Sequence, residues 1–132
     1  MTFSSAVKTC MRKYWVSVGR ASRAEYWWFH LFLLIIGFFA GIADAALFGV
    51  MDASGELKGP EPFYWVSFLI TFLPSLCVVV RRLHDINRSG YWWLIGLTIV
   101  GLIPLVYWLC QKGTEGENRF GTDPLAEKPS AA

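Results

Sequence analysis

Three long apolar runs constrain the fold of this chain more than any other feature. They cover residues 26–50, 63–80 and 91–110, and the last two contain no charged side chain. A helix of about 20 apolar residues crosses the roughly 30 Å hydrocarbon core of a bilayer. Backbone polar groups do not stay unpaired in lipid, so each run is predicted to be helical. The sequence therefore predicts an all-α integral membrane protein with three transmembrane helices.

Composition and aromatic placement support this class. The chain has 132 residues, of which 55% are hydrophobic and 17% are charged, whereas soluble proteins average about 25% charged residues. All five tyrosines are followed directly by tryptophan, and four of these pairs lie at or near the end of an apolar run. Tyrosine and tryptophan collect at membrane–water interfaces. The pairs therefore support the predicted boundaries of the spans.

The segments outside the runs differ from one another. Residues 3–18 place apolar side chains on one helical face and Lys8, Arg12 and Lys13 on the other, which predicts a basic amphipathic helix lying at the interface on anionic lipid. The alternative is a helix packed on the rest of the protein. Residues 111–124 are rich in turn-forming residues, and residues 125–132 are predicted to be a flexible C-terminal tail. Residues 1–124 are thus predicted to form a single membrane domain.

The distribution of lysine and arginine predicts the orientation. With three spans, a cytoplasmic N-terminus places eight of the twelve basic side chains inside and four outside, and cytoplasmic loops carry the excess. We therefore expect a multi-pass protein with a cytoplasmic N-terminus and an external C-terminal tail. A re-entrant third segment, broken around Gly101 and Pro104, is the alternative that would bring the tail inside.

Charged residues concentrate between the second and third runs, in the segment RRLHDINRSGYWW, residues 81–93. Arg81 and Asp85 have the i,i+4 spacing of a helical ion pair, and the segment before the first run should lie on the same side of the membrane. Arginine in excess of the acids predicts a phosphate site, most simply for an anionic lipid headgroup. The candidate ligands are Arg20, Arg23, Arg81, Arg82 and Arg88, with Glu25, His84 and Asp85 in support.

Two other interpretations of this cluster remain open. In the first, the charges only fix the topology and tie the ends of the helices together. In the second, His84 and Asp85 form a catalytic dyad, although no nucleophile of suitable spacing accompanies them. We assign no catalytic residue.

The first apolar run contains a second pattern. Gly37, Gly41, Ala45 and Gly49 recur every four residues, which predicts a face for close helix contact. Asp44 points near this face, either as a carboxylate at the far interface or as an intramembrane acid that moves protons. In the second run, Pro74 removes a backbone hydrogen bond, and Ser67, Thr71 or a kink is expected to compensate.

Three motifs carry a resemblance to a known family: GRASRAEYWW at residues 19–28, RRLHDINRSGYWW at 81–93 and GTEGENRFGTDP at 113–124. In order and spacing they resemble the YhaH-like family of small bacterial inner-membrane proteins, catalogued as a domain of unknown function (number eight hundred and five). The resemblance implies a location in the bacterial inner (cytoplasmic) membrane and a few helical spans. It implies no established activity.

These observations give one leading hypothesis and two alternatives. The leading hypothesis is a non-enzymatic module that binds anionic lipid headgroups or a partner protein through the arginine cluster, with a homo-oligomer as a further possibility. The alternatives are a small transporter or channel subunit that uses Asp44, and a membrane-embedded enzyme acting on lipid or phosphate substrates. We expect no nucleic-acid partner, and no metal or other cofactor, since the three cysteines lack ligand spacing.

Overall fold

The computed structural model describes residues 1–126 and is mostly helical. The two longest helices, α2 and α3, are long and apolar enough to cross a membrane. They lie antiparallel, because Glu25 near the start of α2 meets Arg81 near the end of α3. The elements in chain order are α1 (Phe3–Arg12), α2 (Arg23–Phe48), β1 (Val50–Met51), β2 (Leu57–Lys58), α3 (Pro62–Asp85), a 3-10 helix (Gly90–Leu97) and α4 (Ile99–Cys110).

Both long helices extend beyond the predicted spans at the charged end of the molecule. α2 begins at Arg23 because the Ser22 side chain accepts a hydrogen bond from the Glu25 amide at 3.2 Å, as an N-cap residue does. α3 continues five residues past the predicted end and includes the RRLHD charges. Hydropathy alone placed the start of the first span and the end of the second too far from the charged end, because it excludes charged residues that the folded protein buries.

The far end of the molecule is closed by a short hairpin and by Asp44. The strands β1 and β2, which the sequence did not predict, pair antiparallel between α2 and α3. α3 has no side-chain cap from its own N-cap residue. Instead, the Asp44 carboxylate accepts hydrogen bonds from the amides of Phe63 at 3.0 Å and Tyr64 at 2.8 Å. Asp44 therefore caps α3 from the neighbouring helix.

Pro74 lies inside α3 and leaves the Ile70 carbonyl without its usual amide donor. The Tyr14 hydroxyl donates to this carbonyl at 2.5 Å. Ser67 and Thr71, which we expected to compensate, donate instead to the carbonyls of Tyr64 and Ser67, respectively. The chain that follows α1 is thereby attached to α3 at the position of its proline.

α1 is shorter than the predicted helix over residues 3–18. It ends at Arg12, and the chain then turns back so that the Ala21 amide donates to the Arg81 carbonyl at 3.0 Å. Gly19 permits this path because its φ of 91° is a conformation that other residues rarely adopt. α1 packs on α2, with Phe3 against Trp28 and Cys10 fully buried.

The third apolar run is not a single helix, so the predicted third transmembrane helix at 91–110 is not confirmed. The run is broken at Thr98, whose side chain caps α4 by accepting from the Gly101 amide at 3.0 Å. Gly101 is needed at this turn, because a Cβ there would collide with the Ile95 carbonyl. The break therefore precedes Gly101 and Pro104, the residues around which a break was considered.

The broken run leaves the bundle at the end where it entered. Gly90, directly before the run, packs against Val80 and His84, and near the end of the run the Leu109 carbonyl accepts from Arg82 Nε at 3.1 Å. Trp92 and Trp108 meet edge to face, with 5.4 Å between ring centroids. The 3-10 helix and α4 thus form a hairpin that places residues 111–126 at the charged end of α3. The predicted flexible tail, 125–132, lies outside the described residues from 127 onward.

Candidate functional site

A buried cluster of charged side chains lies where α2 begins and α3 ends. Three segments supply it: the turn before α2, the first turn of α2 and the last turns of α3. Arg81 and Arg82 have no exposed surface, and Glu25 and Asp85 are each 3% exposed. Buried charges are tolerated only when they are paired and hydrogen-bonded. The contacts of each member therefore decide what the cluster can do.

Asp85 lies between two arginines. One carboxylate oxygen, Oδ1, accepts from Arg20 Nε at 3.0 Å, and the other, Oδ2, accepts from Arg82 Nη1. The Arg20 guanidinium also donates to the carbonyls of Thr114 and Gly116. The Arg82 guanidinium donates to the carbonyls of Leu109 and Gln111 as well. The donors of both arginines are therefore directed at acceptors within the protein.

Arg81 forms a second buried pair. Its Nη1 donates to Glu25 Oε1, and the Cys10 thiol lies 3.7 Å from the same carboxylate oxygen. Burial, reinforced by the charge of Glu25, raises the pKa of the Cys10 thiol to about 12. The thiol is therefore protonated at neutral pH. Among the residues that the structure describes, no group accepts from Arg81 Nε.

The pairing differs from the predicted i,i+4 bridge between Arg81 and Asp85. The bridge within α3 joins Arg82 to Asp85 at i,i+3, while Arg81 points to Glu25 on α2. The sequence predicted that these charges would gather at one end of the molecule. It did not reveal how they pair, because that depends on the rotation of α3 against α2.

The segment after α4 closes the cluster. The Thr114 amide and hydroxyl both donate to the Asp85 carbonyl, at 2.8 and 3.0 Å, and Asn118 Nδ2 donates to the His84 carbonyl at 2.9 Å. A side chain at Gly113 would collide with the Asp85 carboxylate. We had interpreted this segment only as consecutive turns. Nothing in its pattern indicated that its carbonyls meet Arg20.

His84 and the other aromatic contacts lie at the edge of the cluster. The His84 ring stacks on Phe120 with 3.9 Å between centroids, and its Nδ1 lies 3.0 Å from the Gly19 carbonyl. The Arg88 guanidinium lies 4.0 Å above the Trp108 ring, and that of Arg119 lies 4.7 Å above the Phe120 ring. These contacts hold both arginines near the surface.

The structure separates the five arginines that we nominated as phosphate ligands. Arg20, Arg81 and Arg82 are buried and bonded to acceptors within the protein, while Arg23 is exposed and Arg88 is partly exposed. Glu25 and Asp85 are the counter-charges of the buried three. Only Arg23 and Arg88 of the nominated set therefore present surface to a ligand.

The small-residue stripe of α2 lies toward the other end of the molecule. A side chain at Gly49 would meet Leu57, and one at Gly37 would touch the Tyr64 ring at 3.8 Å, but nothing lies within 4 Å of a Cβ at Gly41. The stripe, with Ala45, therefore faces the hairpin and the start of α3, and stays open at Gly41. Its role as an interface between protomers remains a prediction. The described residues include no group of three side chains suited to hold a metal ion.

Comparisons with known proteins agree with the resemblance. A family model described as "Protein of unknown function (DUF805)" matches residues 14–122. The inner membrane protein YhaH of Escherichia coli (strain K12) is 42% identical over 110 residues, which cover 83% of this chain and 87% of that protein. The inner membrane protein YhaI of the same strain is 39% identical over 107 residues, covering 80% and 83%. No solved structure matches.

Proposed function

This chain belongs to the DUF805 family of proteins of unknown function, and we propose that it is a non-enzymatic module of the bacterial inner membrane that binds anionic lipid headgroups at its charged end. The buried arginines build the site, and arginines and lysines at the surface contact the lipid. This division differs from the single five-arginine site that we first considered.

One observation carries the proposal. Within residues 1–126, six cations on and beside α1, at the start of α2 and in the segments after α3 have no ion-pair partner, in contrast to the buried arginines. They are Lys8, Arg12, Lys13, Arg23, Arg88 and Arg119. Basic side chains beside a membrane each favour anionic lipid by about 1 kcal/mol. A group of this size supports headgroup binding without any contribution from the buried core.

The position of residues 111–126 supports one orientation in the membrane for all six cations. The third run returns to the charged end, so of the eleven lysines and arginines of the described residues only Lys58 lies in the hairpin at the other end. Cytoplasmic surfaces carry the excess of basic residues. We therefore propose that the charged end is cytoplasmic, with α1 at the interface and the tail inside rather than outside.

The contacts favour this proposal over the two alternatives. A transporter that uses Asp44 needs a carboxylate available to a substrate, whereas Asp44 is 2% exposed and accepts from two α3 amides. An enzyme that uses His84 and Asp85 needs the two to be coupled. His84 Nδ1 is directed instead at Gly19, and Asp85 is held by two arginines.

Lipid retention measured by native mass spectrometry tests the proposal. The protein is extracted into a neutral detergent and titrated with phosphatidylglycerol, cardiolipin or phosphatidylcholine. We expect the triple variant Lys8→Gln, Arg12→Gln and Arg23→Gln to bind both anionic lipids at least tenfold more weakly. Its melting temperature should be unchanged.

Lys58→Gln at the opposite end is the matched control and should change neither lipid binding nor the melting temperature. Equal retention of anionic and zwitterionic lipid by the unaltered protein would overturn the proposed function. So would an undiminished affinity in the triple variant.

A further inference from the structure

A pocket beside His84 lies at the boundary between the apolar and charged parts of the molecule. Its volume is about 410 Å³, and its lining includes Ser17, Val80, Ser89, Tyr91 and Phe120. Small-molecule sites are commonly clefts of about 300–1,000 Å³ with apolar walls and a few polar groups. The pocket has this composition, and none of its lining residues belongs to the buried ion pairs.

The orientation of His84 is fixed, and one of its nitrogens faces the pocket. The Gly19 carbonyl can only accept, so Nδ1 carries the hydrogen of the 3.0 Å bond between them. In the neutral ring, Nε2 is then a hydrogen-bond acceptor. A Cβ at Gly90 would lie 3.4 Å from Nε2, so the missing side chain keeps the approach to this nitrogen open. Among the described residues, no donor bonds to Nε2.

A cation lies next to the pocket, on the opposite face of Phe120 from His84. The Arg119 guanidinium lies 4.7 Å above the ring of Phe120, which is a wall of the pocket, and its Nη2 donates to the Asn87 carbonyl at 3.0 Å. Arg119 is exposed, and no carboxylate within residues 1–126 pairs with it. Arginine is well suited to phosphate because its planar group offers two parallel donors.

The apolar wall continues along the surface of the 3-10 helix. Tyr91 is 81% exposed, and Leu94 and Leu97 follow it with 46% and 75% of their surface exposed. This strip begins at the pocket and runs toward the turn at Thr98. A ligand with a polar head in the pocket can therefore lay an apolar chain along the strip.

We propose that this pocket binds a phosphate ester that carries a hydroxyl group, with the hydroxyl donating to His84 Nε2 and the phosphate meeting Arg119. The apolar strip favours a membrane lipid, so the occupant is a phosphatidylglycerol-type headgroup rather than a free glycerol phosphate. The inference rests on the proposed function, because it names the lipid class that one part of the charged end selects.

Three probes separate the contributions. Dioctanoyl phosphatidylglycerol offers the phosphate, the hydroxyls and the chains. Dioctanoyl phosphatidic acid lacks the hydroxyls, and glycerol 3-phosphate lacks the chains. Dissociation constants are measured by thermophoresis on the full chain in a neutral detergent. We expect the phosphatidylglycerol probe to bind at least tenfold tighter than either of the others.

Variants then assign the residues. His84→Asn keeps a donor for the Gly19 carbonyl but removes the acceptor, so the preference for phosphatidylglycerol over phosphatidic acid should disappear. His84→Gln can place an amide oxygen near the position of Nε2 and should keep part of that preference. Arg119→Gln should weaken the binding of both lipids at least fivefold. Lys112→Gln, a neighbouring exposed cation paired with Glu115, is the control and should weaken neither.

Failure of the pocket assignment can be distinguished from failure of the proposed function. Equal affinity of the unaltered protein for the two lipids overturns the pocket assignment while anionic binding stands. A preference that survives in His84→Asn overturns it as well. Equal affinity for glycerol 3-phosphate overturns the assignment to a lipid. If neither anionic lipid binds more tightly than dioctanoyl phosphatidylcholine, the proposed function itself fails.

Discussion

Arg82 and Arg88 lie on either side of the end of α3, and the sequence presents both as surplus cations available to phosphate. The folded chain uses them differently. Arg82 has no exposed surface and joins Asp85 to carbonyls at the end of α4, whereas Arg88 lies over the Trp108 ring and pairs with no acid within residues 1–126. At the scale of single residues, the distinction between structural and available charge comes from burial, which a list of arginines does not contain.

Substitution at the two positions should therefore have unequal effects. Arg82→Gln leaves the Asp85 carboxylate with one guanidinium instead of two and should lower the free energy of unfolding by about 3–5 kcal/mol, as removal of one member of a buried ion pair does. Arg88→Gln removes only a cation–π contact and should cost about 1 kcal/mol or less. Unfolding in matched detergent measures both changes. Equal losses would show that the burial of Arg82 does not determine its role.

At the scale of elements, α3 depends on contacts from other parts of the chain at two places. Its first amides are capped by Asp44 of α2, and the carbonyl freed by Pro74 is bonded by Tyr14. Both positions were visible in the sequence as irregularities of an apolar run. Their partners were not, since each lies on a different element.

A double-mutant cycle tests the contact between Tyr14 and the proline gap. Tyr14→Phe removes one hydrogen bond to the carbonyl that Pro74 deprives of its usual helical donor and should cost about 1 kcal/mol. In a Pro74→Ala background, the amide of residue 74 can bond the Ile70 carbonyl, so Tyr14→Phe should then cost much less. The free energy of unfolding of the four proteins gives the coupling directly. An additive cycle would exclude this compensation.

The predictable elements were those defined by length and hydropathy. The spans at 26–50 and 63–80 correspond to α2 and α3 with shifted ends, because about 20 apolar residues are sufficient to indicate a membrane helix. The run at 91–110 satisfied the same criterion and is nevertheless broken at Thr98. Thr98 and Gly101 make a turn possible, but packing of the run against α3 is needed to select it, and a hydropathy average is insensitive to that choice.

At the scale of the whole molecule, the return of the third run determines where the C-terminal tail lies. The tail touches Arg20 and Asp85 directly, so it occupies the same side as the start of α2 and the end of α3. A continuous third span would have placed it on the opposite side. We therefore propose two crossings, by α2 and α3, and a hairpin that does not cross.

Cysteine labelling in intact cells distinguishes these arrangements. In a background without Cys10, Cys77 and Cys110, single cysteines are introduced at Ser54 and Glu117, which are both exposed. A membrane-impermeant maleimide added from the periplasm should label residue 54 only, because the proposed orientation places the charged end, which is rich in basic residues, in the cytoplasm. Labelling of residue 117 should require permeabilised cells.

The opposite pattern would reverse the whole orientation. Labelling at both positions in intact cells would mean that the third run does cross the membrane, and the contact of the tail with Arg20 would then be excluded in the cell.

The closure of the charged cluster by the tail also sets an order of events during biosynthesis. Arg20 and the Gly121 carbonyl that it approaches are 101 positions apart, so the ribosome must add these residues before that contact can form. Until then Arg20 and Arg82 are hydrated charges, in the form that retains a loop in the cytoplasm while helices insert. We therefore expect the same two side chains to act as exposed charges during insertion and to become interior residues only after residues 109–121 have been made, so maturation of the charged cluster is coupled to synthesis of that segment.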